Sequence, residues 1–249
     1  MAKKHKTADD YLYHLFIHMN AVNQFVIFSG LTLKQFFGAV ESIKNILLLN
    51  QSYEDGLFNM HTQLDYIPGD EIKNFVKKME DSNRDLCWVD FSDEKQVNQL
   101  TPMEQAELLY LGHKKEPVTS PFFPKLKNRY VYCSSANEQT TKVYFRFLED
   151  FEMLVSTLIN NIIKENGGNG GFWRRKSKER IPKIEAADLK AYRHYFKEGA
   201  LVSIYKAEKP KNHFGVEIRT LSDYDYPDEV WNDLIMILKQ DYDELIKLQ

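Results

Sequence analysis

Cysteine is scarce in this chain: two residues in 249, Cys87 and Cys133, each inside an apolar run ("LCWVDF" and "RYVYCS"). No Cys-x-x-Cys spacing exists, which excludes zinc-ribbon and thioredoxin readings. Two thiols in apolar runs suit a reducing cytosol. Long hydrophobic runs are also missing. The longest lies around "NILLLN", far short of the roughly 20 residues a membrane-spanning helix needs. The opening "MAKKHKTADD" carries cations with no apolar stretch and no small-residue cleavage site behind it, so no secretory signal is expected. The phosphate-loop, dinucleotide-binding and nucleophile-elbow patterns do not occur. "GGNGG" has glycines, but no strand before it and no Lys-Ser/Thr after it. No cofactor is implied. These absences predict a soluble, cytoplasmic chain with no membrane segment.

What is present is core material. The composition is 43% hydrophobic, 28% charged and 13% aromatic, enough to bury a core rather than stay disordered. The net charge of −3 argues against nucleic-acid binding by the whole surface, while leaving room for a local basic arm.

Periodicity predicts the elements. "ADDYLYHLFIHMN" reads as a short helix, with Leu12, Leu15, Phe16 and Met19 at helical spacing. A strand is expected over 24–29. The stretch "LTLKQFFGAVESIKNILLLN" predicts one long helix, opened by a Thr32/Gln35 capping box. "FNMHTQLDYIP" alternates and reads as one strand, with His61, Gln63 and Asp65 on one face. "PGDEIKNFVKKMED" is an amphipathic helix with Asp70 as its cap, and "DLCWVDFSD" a strand. Thr101, Pro102 and Glu104 open a further helix, which Gly112 is placed to stop. A hairpin around Asn137 and a helix over 148–165 follow. After the glycines, "IEAADLKAYRHYFKEGA" is a helix ending near Gly199. Two strands and a final helix from Pro227 close the chain.

This mixture predicts an α+β fold, its sheet mixed or largely antiparallel with flanking helices. Four glycines in the five residues 167–171 cannot hold a helix or a packed strand. They mark a flexible linker over 166–171, between a domain of residues 1–165 and a C-terminal piece, 172–249. That piece is a basic arm followed by a small αββα unit, independent or packed on the first domain.

The stretch Cys87–Tyr132 holds an "ELLYLGH" core, a "PFF" loop and a following "NRYVY" strand. It resembles a pattern in soluble proteins of unknown function from Bacillus-type bacteria. The resemblance covers about 45 residues clearly, with Cys133 where that strand usually carries Leu. It implies a bacterial cytosolic protein and supplies no catalytic residues. Some members carry a transporter-like label, oxalate–formate exchange, which the lack of a spanning segment here contradicts.

Four groups are candidate sites. Behind the glycines, Arg174, Arg175, Lys176, Lys178, Arg180 and Lys183 stand against Glu179 alone, with Phe172 and Trp173 beside them. Such a run can bind phosphates, and Trp173 can stack on a base. It reads equally as a solvated linker whose cations offset the acidic C-terminal stretch. No recognised nucleic-acid motif accompanies it. His14 and His18, at i and i+4 on a helix, have metal-chelating spacing, but the acid of an HExxH motif is missing. The bland alternative is two histidines on a polar helix face. His61 with Asp65 is a minimal acid–base set if the strand face lines a cleft; otherwise it is an exposed face. Tyr110, His113, Phe122 and Phe123 would form a pocket if the helix end met the "SPFFP" loop. Alternatively, the helix dipole explains His113 and the core explains the phenylalanines. The leading reading is a non-catalytic binding or accessory protein whose contact surface is the arm Phe172–Lys183 and whose partner is a protein or an anionic ligand. Nucleic-acid binding through 172–183 is one alternative. A metal-dependent or acid–base enzyme using His14, His18, His61 or His113 is the other.

Overall fold

The computed structural model describes residues 11–41, 43–80, 85–135, 140–167, 183–206 and 214–220. It is α+β, and its described strands pair antiparallel. Among the described residues, no helix is long and apolar enough to cross a membrane. The chain divides into two compact units, residues 20–151 and residues 1–19 with 152–249.

The strands β2 (Phe25–Ser29), β3 (Asn45–Leu48), β4 (Leu57–Asn59), β5 (Leu64–Pro68), β6 (Leu86–Phe91), β7 (Tyr130–Ser135) and β8 (Thr140–Phe145) build the sheet of the 20–151 unit. Their order is β2-β8-β7-β6-β3-β5-β4. Both faces are covered. Trp88 on β6 and Tyr132 on β7 are directly opposite and stack at 5.2 Å. Phe36 and Phe37 of helix α1 (Leu33–Ala39) pack on the same face, Phe37 stacking on Trp88 at 5.3 Å. Helix α2 (Ile72–Glu80) lies beside α1. The other face carries Leu47, Cys87, Val89, Phe91, Val131 and Cys133. On it pack Val97 of α3 (Glu94–Val97), Leu108 and Leu111 of α4 (Pro102–Lys114), and Phe123 and Leu126 of the following loop. A strand buried on both sides loses the apolar–polar alternation of a half-exposed one, as "LCWVDF" does.

Two carboxylates of this unit converge on Arg129. Its guanidinium donates to both carboxylate oxygens of Asp150, at 3.1 and 2.5 Å, and to Glu41 at 2.5 Å. A planar fork facing a carboxylate makes the strongest side-chain ion pair, and Asp150 is buried. Where the β6–β7 ladder ends, the Asp90 carboxylate accepts the backbone N–H groups of Arg129 (2.9 Å) and Tyr130 (2.6 Å). Asn128, fully buried, accepts from the Phe123 N–H and donates to the Pro121 carbonyl, which shapes the loop leading into β7.

In the other unit, β1 (Tyr11–Asn20), β9 (Ala200–Lys206) and β10 (Phe214–Thr220) form a three-stranded antiparallel set in the order β10-β9-β1. Helix α5 (Leu148–Gly167) enters this unit at Glu152, and α6 (Ala186–Lys190) and α7 (Arg193–Glu198) precede β9. Glu152, fully buried, pairs with Arg193. Gly199 ends α7 with φ of 88°, a conformation glycine adopts without penalty.

Several expectations need correction. The helix expected at the N-terminus is strand β1, where Leu15, Ile17 and Met19 are buried in strict alternation. The long helix from Leu33 stops at Ala39; Ile46, Leu47 and Leu48 belong to β3. The single strand over 58–68 is the β4–β5 hairpin, with turn residues 60–63 between and Gln63 at φ of 57°. Gly112 does not stop α4. The helix runs on to a left-handed cap at Lys115 (φ 56°), and Gly112 is where it touches the end of β3, since a Cβ there would lie 2.4 Å from the Leu49 carbonyl oxygen. The helix expected before Gly199 is two, α6 and α7. Both threonine capping boxes, at Thr32 and Thr101, are present. The turn at Asn137, most of the glycine linker and the final helix lie outside the described residues.

Candidate functional site

Residues 172–182, with Trp173, Arg174, Arg175, Lys176, Lys178 and Arg180, lie outside the described residues. Lys183 is described and exposed. The next residue, Ile184, is fixed by the Asn160 side chain, which accepts its N–H at 3.0 Å and donates to its carbonyl at 2.8 Å.

His14 and His18 share a face of β1, but on a strand four residues span about 13 Å, too far to chelate one ion together. Among the described residues no group of three or more His, Cys, Asp or Glu side chains could hold a metal. His14 is directly opposite Ser203, and Ser203 is opposite Glu217, so the three form one row across β1, β9 and β10. His14 Nδ1 is 3.0 Å from the Ser203 hydroxyl. Burial, reinforced by the Arg219 cation, holds the His14 pKa down at about 4. Arg219 donates to the Tyr11 hydroxyl at 2.7 Å and to Glu217 at 2.8 Å. A neutral imidazole on a serine hydroxyl is half of a nucleophilic pair. Ser203, however, is only 1% exposed, so no substrate reaches its oxygen.

His61 stands in the β4–β5 turn, and its Nε2 donates to the Leu100 carbonyl at 2.7 Å. It ties the hairpin tip to the approach to α4. Asp65 is on β5, where it accepts the Tyr53 N–H at 3.0 Å. Of the four residues expected around the "SPFFP" loop, His113 lines a polar cleft. Tyr110 is exposed, Phe123 is in the core, and Phe122 lies under the Arg146 guanidinium at 5.3 Å.

Two cavities of the 20–151 unit lie on opposite faces of its sheet. The first, about 520 Å³, is a polar cleft at the end of α4, lined by Asn50, Gln51, Gln63, Asp65, Asp85, Gly112, His113 and Lys115 among others. It brings His113 and Asp65 into one space. Several of its polar groups are engaged by the fold. Lys115 donates to Asp85 (2.8 Å) and to the Ser134 carbonyl (3.0 Å). Asn50 accepts the Cys87 N–H and donates to the Asp85 carbonyl.

The second cavity, about 610 Å³, is a groove between α1 and α2. Phe37, Ile43, Ile72 and Val76 make its walls, and Lys34, Lys73 and Lys77 stand around it. Phe37 is fixed from behind by Trp88. Lys73 and Lys77 are one helical turn apart, and among the described residues neither faces a carboxylate within ion-pair distance. The one acid in the lining, Glu41, is engaged by Arg129. Sequence reasoning does not find this groove. Its signals are a lysine pair at i and i+4 beside an Ile72/Val76 pair at the same spacing, and a glycine, Gly38, inside a helix. Comparison with known protein families, curated proteins and solved structures finds no match to this chain.

Proposed function

We propose that this is a non-catalytic binding protein and that the α1–α2 groove is its binding surface. The observation that carries the reading is the groove itself, with apolar walls, a cationic rim and a volume of about 610 Å³, within the range of roughly 300–1,000 Å³ common for ligand sites. Two of the four histidines of the enzyme reading have structural partners. His14 rests on an enclosed serine, and His61 is occupied by a backbone carbonyl.

The test uses 1-anilinonaphthalene-8-sulfonate, an apolar aromatic anion whose fluorescence rises in apolar surroundings. Saturable binding to the folded protein at neutral pH is expected. Gly38→Phe, which places a ring in the groove, should abolish it. Equal binding by both proteins would show that the dye sits elsewhere and would overturn the reading. A second reading rests on the six cations of Arg174–Lys183 behind a glycine break: an arm for nucleic acid or another polyanion. Its binding would be salt-dependent and independent of Gly38.

A further inference from the structure

Gly38 is the residue that asks for an explanation. Glycine within a helix is less favourable than alanine by roughly 0.5–1 kcal/mol. Gly38 is exposed, in the last turn of α1, whereas the buried helical glycine Gly112 is required by contact, because a Cβ would strike Leu49. A Cβ on Gly38 would meet no atom within 4 Å. Among the described residues, no packing contact needs that position empty. It opens on the groove, and a side chain there would take up the groove's space.

The surroundings define what could occupy it. The side chains of Phe37, Ile43, Ile72 and Val76 offer no hydrogen-bond donor or acceptor, so the body of the ligand needs no polar group. The nine residues of α2 make a wall about 13 Å long, which suits a medium-length alkyl chain laid along it. The charged groups around it are the ammonium ions of Lys34, Lys73 and Lys77 and the carboxylate of Glu41, which shares the Arg129 guanidinium with Asp150. Lys73 and Lys77 are close enough, about 6 Å apart at their Cβ atoms, to serve one head group together. We infer that the groove binds a single-chain aliphatic carboxylate, its chain along Ile72 and Val76 over Gly38 and its carboxylate on the lysine rim. This rests on the groove being the binding surface.

Dodecanoate, below its micelle concentration, is the probe, measured by displacement of the bound dye. Dodecanol, with the same chain and no charge, and dodecyltrimethylammonium, with the opposite charge, are controls. Dodecanoate should displace the dye saturably and at least about tenfold better than either control, a difference of about 1.4 kcal/mol. Lys73→Glu with Lys77→Glu should weaken dodecanoate by about tenfold and leave dodecanol unchanged. Gly38→Ala adds a single methyl at an open helical position, so it folds at least as well as the parent. It should weaken dodecanoate measurably, which separates a blocked groove from a damaged fold. If dodecanol matches dodecanoate, or if an acidic amphipathic peptide displaces the dye where dodecanoate does not, the inference falls and the groove remains a binding surface. If the dye is insensitive to Gly38→Phe, the broader reading falls as well.

Discussion

The two cavities of the 20–151 unit are similar in size and opposite in chemistry, and each contains a helical glycine. In the polar cleft, Gly112 lets α4 rest directly on the Leu49 backbone, and Lys115 is held by Asp85 and the Ser134 carbonyl. In the groove, Gly38 touches nothing that a side chain would disturb, and Lys73 and Lys77 face no carboxylate among the described residues. The comparison teaches that polar lining is a poor guide to a site. A cavity whose donors and acceptors bind each other is a joint in the fold. One whose lysine pair stands over apolar walls, with no carboxylate opposite among the described residues, is the one we propose as a binding surface.

The largest effect that could break this comparison comes from the two glycines. Gly112→Val puts a branched side chain against a carbonyl 2.4 Å from its Cβ. It should destabilise the 20–151 unit by about 3 kcal/mol or more, since overpacking at a rigid backbone contact has no side chain to yield. Gly38→Ala should be neutral or stabilising by up to about 1 kcal/mol. Urea unfolding of the two variants measures both. If Gly38→Ala destabilised by as much as Gly112→Val, Gly38 would be a packing residue and the distinction between the cavities would disappear.

How much of this is legible in the sequence follows from how far each signal reaches along the chain. The capping boxes at Thr32 and Thr101 are local chemistry over three residues, and both form. The buried strands β6 and β7 show as continuous apolar runs. β1 is ambiguous, because Leu12, Leu15, Phe16 and Met19 fit a helix while Leu15, Ile17 and Met19 fit a strand. Pairing with β9, some 190 residues away in sequence, decides between them. Propensity is a weak prior against such tertiary pairing. β3 is hidden for the same reason: "NILLL" continues a helical pattern, and only its neighbours β5 and β6 make it a strand. Gly112 looks like a stop because glycine often ends helices. The close approach of Leu49 is invisible in one dimension. The groove joins two segments about 35 residues apart, and neither reads as a site alone. For the same reason the acid–base set His61/Asp65 dissolves once the turn between β4 and β5 puts the two side chains to separate structural uses.

A smaller effect sharpens the account of the groove's face of the sheet. There the acids Glu41 and Asp150 gather on Arg129, and Asp90 caps the Arg129 and Tyr130 amides. Burial pushes the Asp90 pKa up to about 6, against the pull of those two N–H groups and of the Arg129 charge. A carboxyl whose folded pKa is raised stabilises most below its unfolded value near 4, and that contribution vanishes as pH rises through 6. Asp90→Asn stays neutral and can still accept both amides. Its stability relative to the parent should therefore rise between pH 4 and pH 7, by no more than about 3 kcal/mol. Chemical denaturation at a series of pH values measures it. A flat difference would mean that Asp90 is ionised throughout this range.

The smallest expected effect concerns the cations of the arm, which lie outside the described residues. The arm's Arg174, Arg175 and Lys176 belong to a chain of net charge −3, so any attraction to nucleic acid is local and weak. Each single-strand phosphate that a cation no longer neutralises lowers the slope of log affinity against log salt by about 0.7. The triple alanine variant should therefore bind labelled single-stranded oligonucleotide with a salt slope smaller by about 2, and the two proteins should converge at high salt. Dodecanoate binding should be identical in both, because the groove and the arm share no residue. If the triple variant also failed to bind dodecanoate, the fatty carboxylate would be responding to loose positive charge rather than to the lysine rim. The contrast between a shaped site and a charge run would then fail at the place where it is easiest to measure.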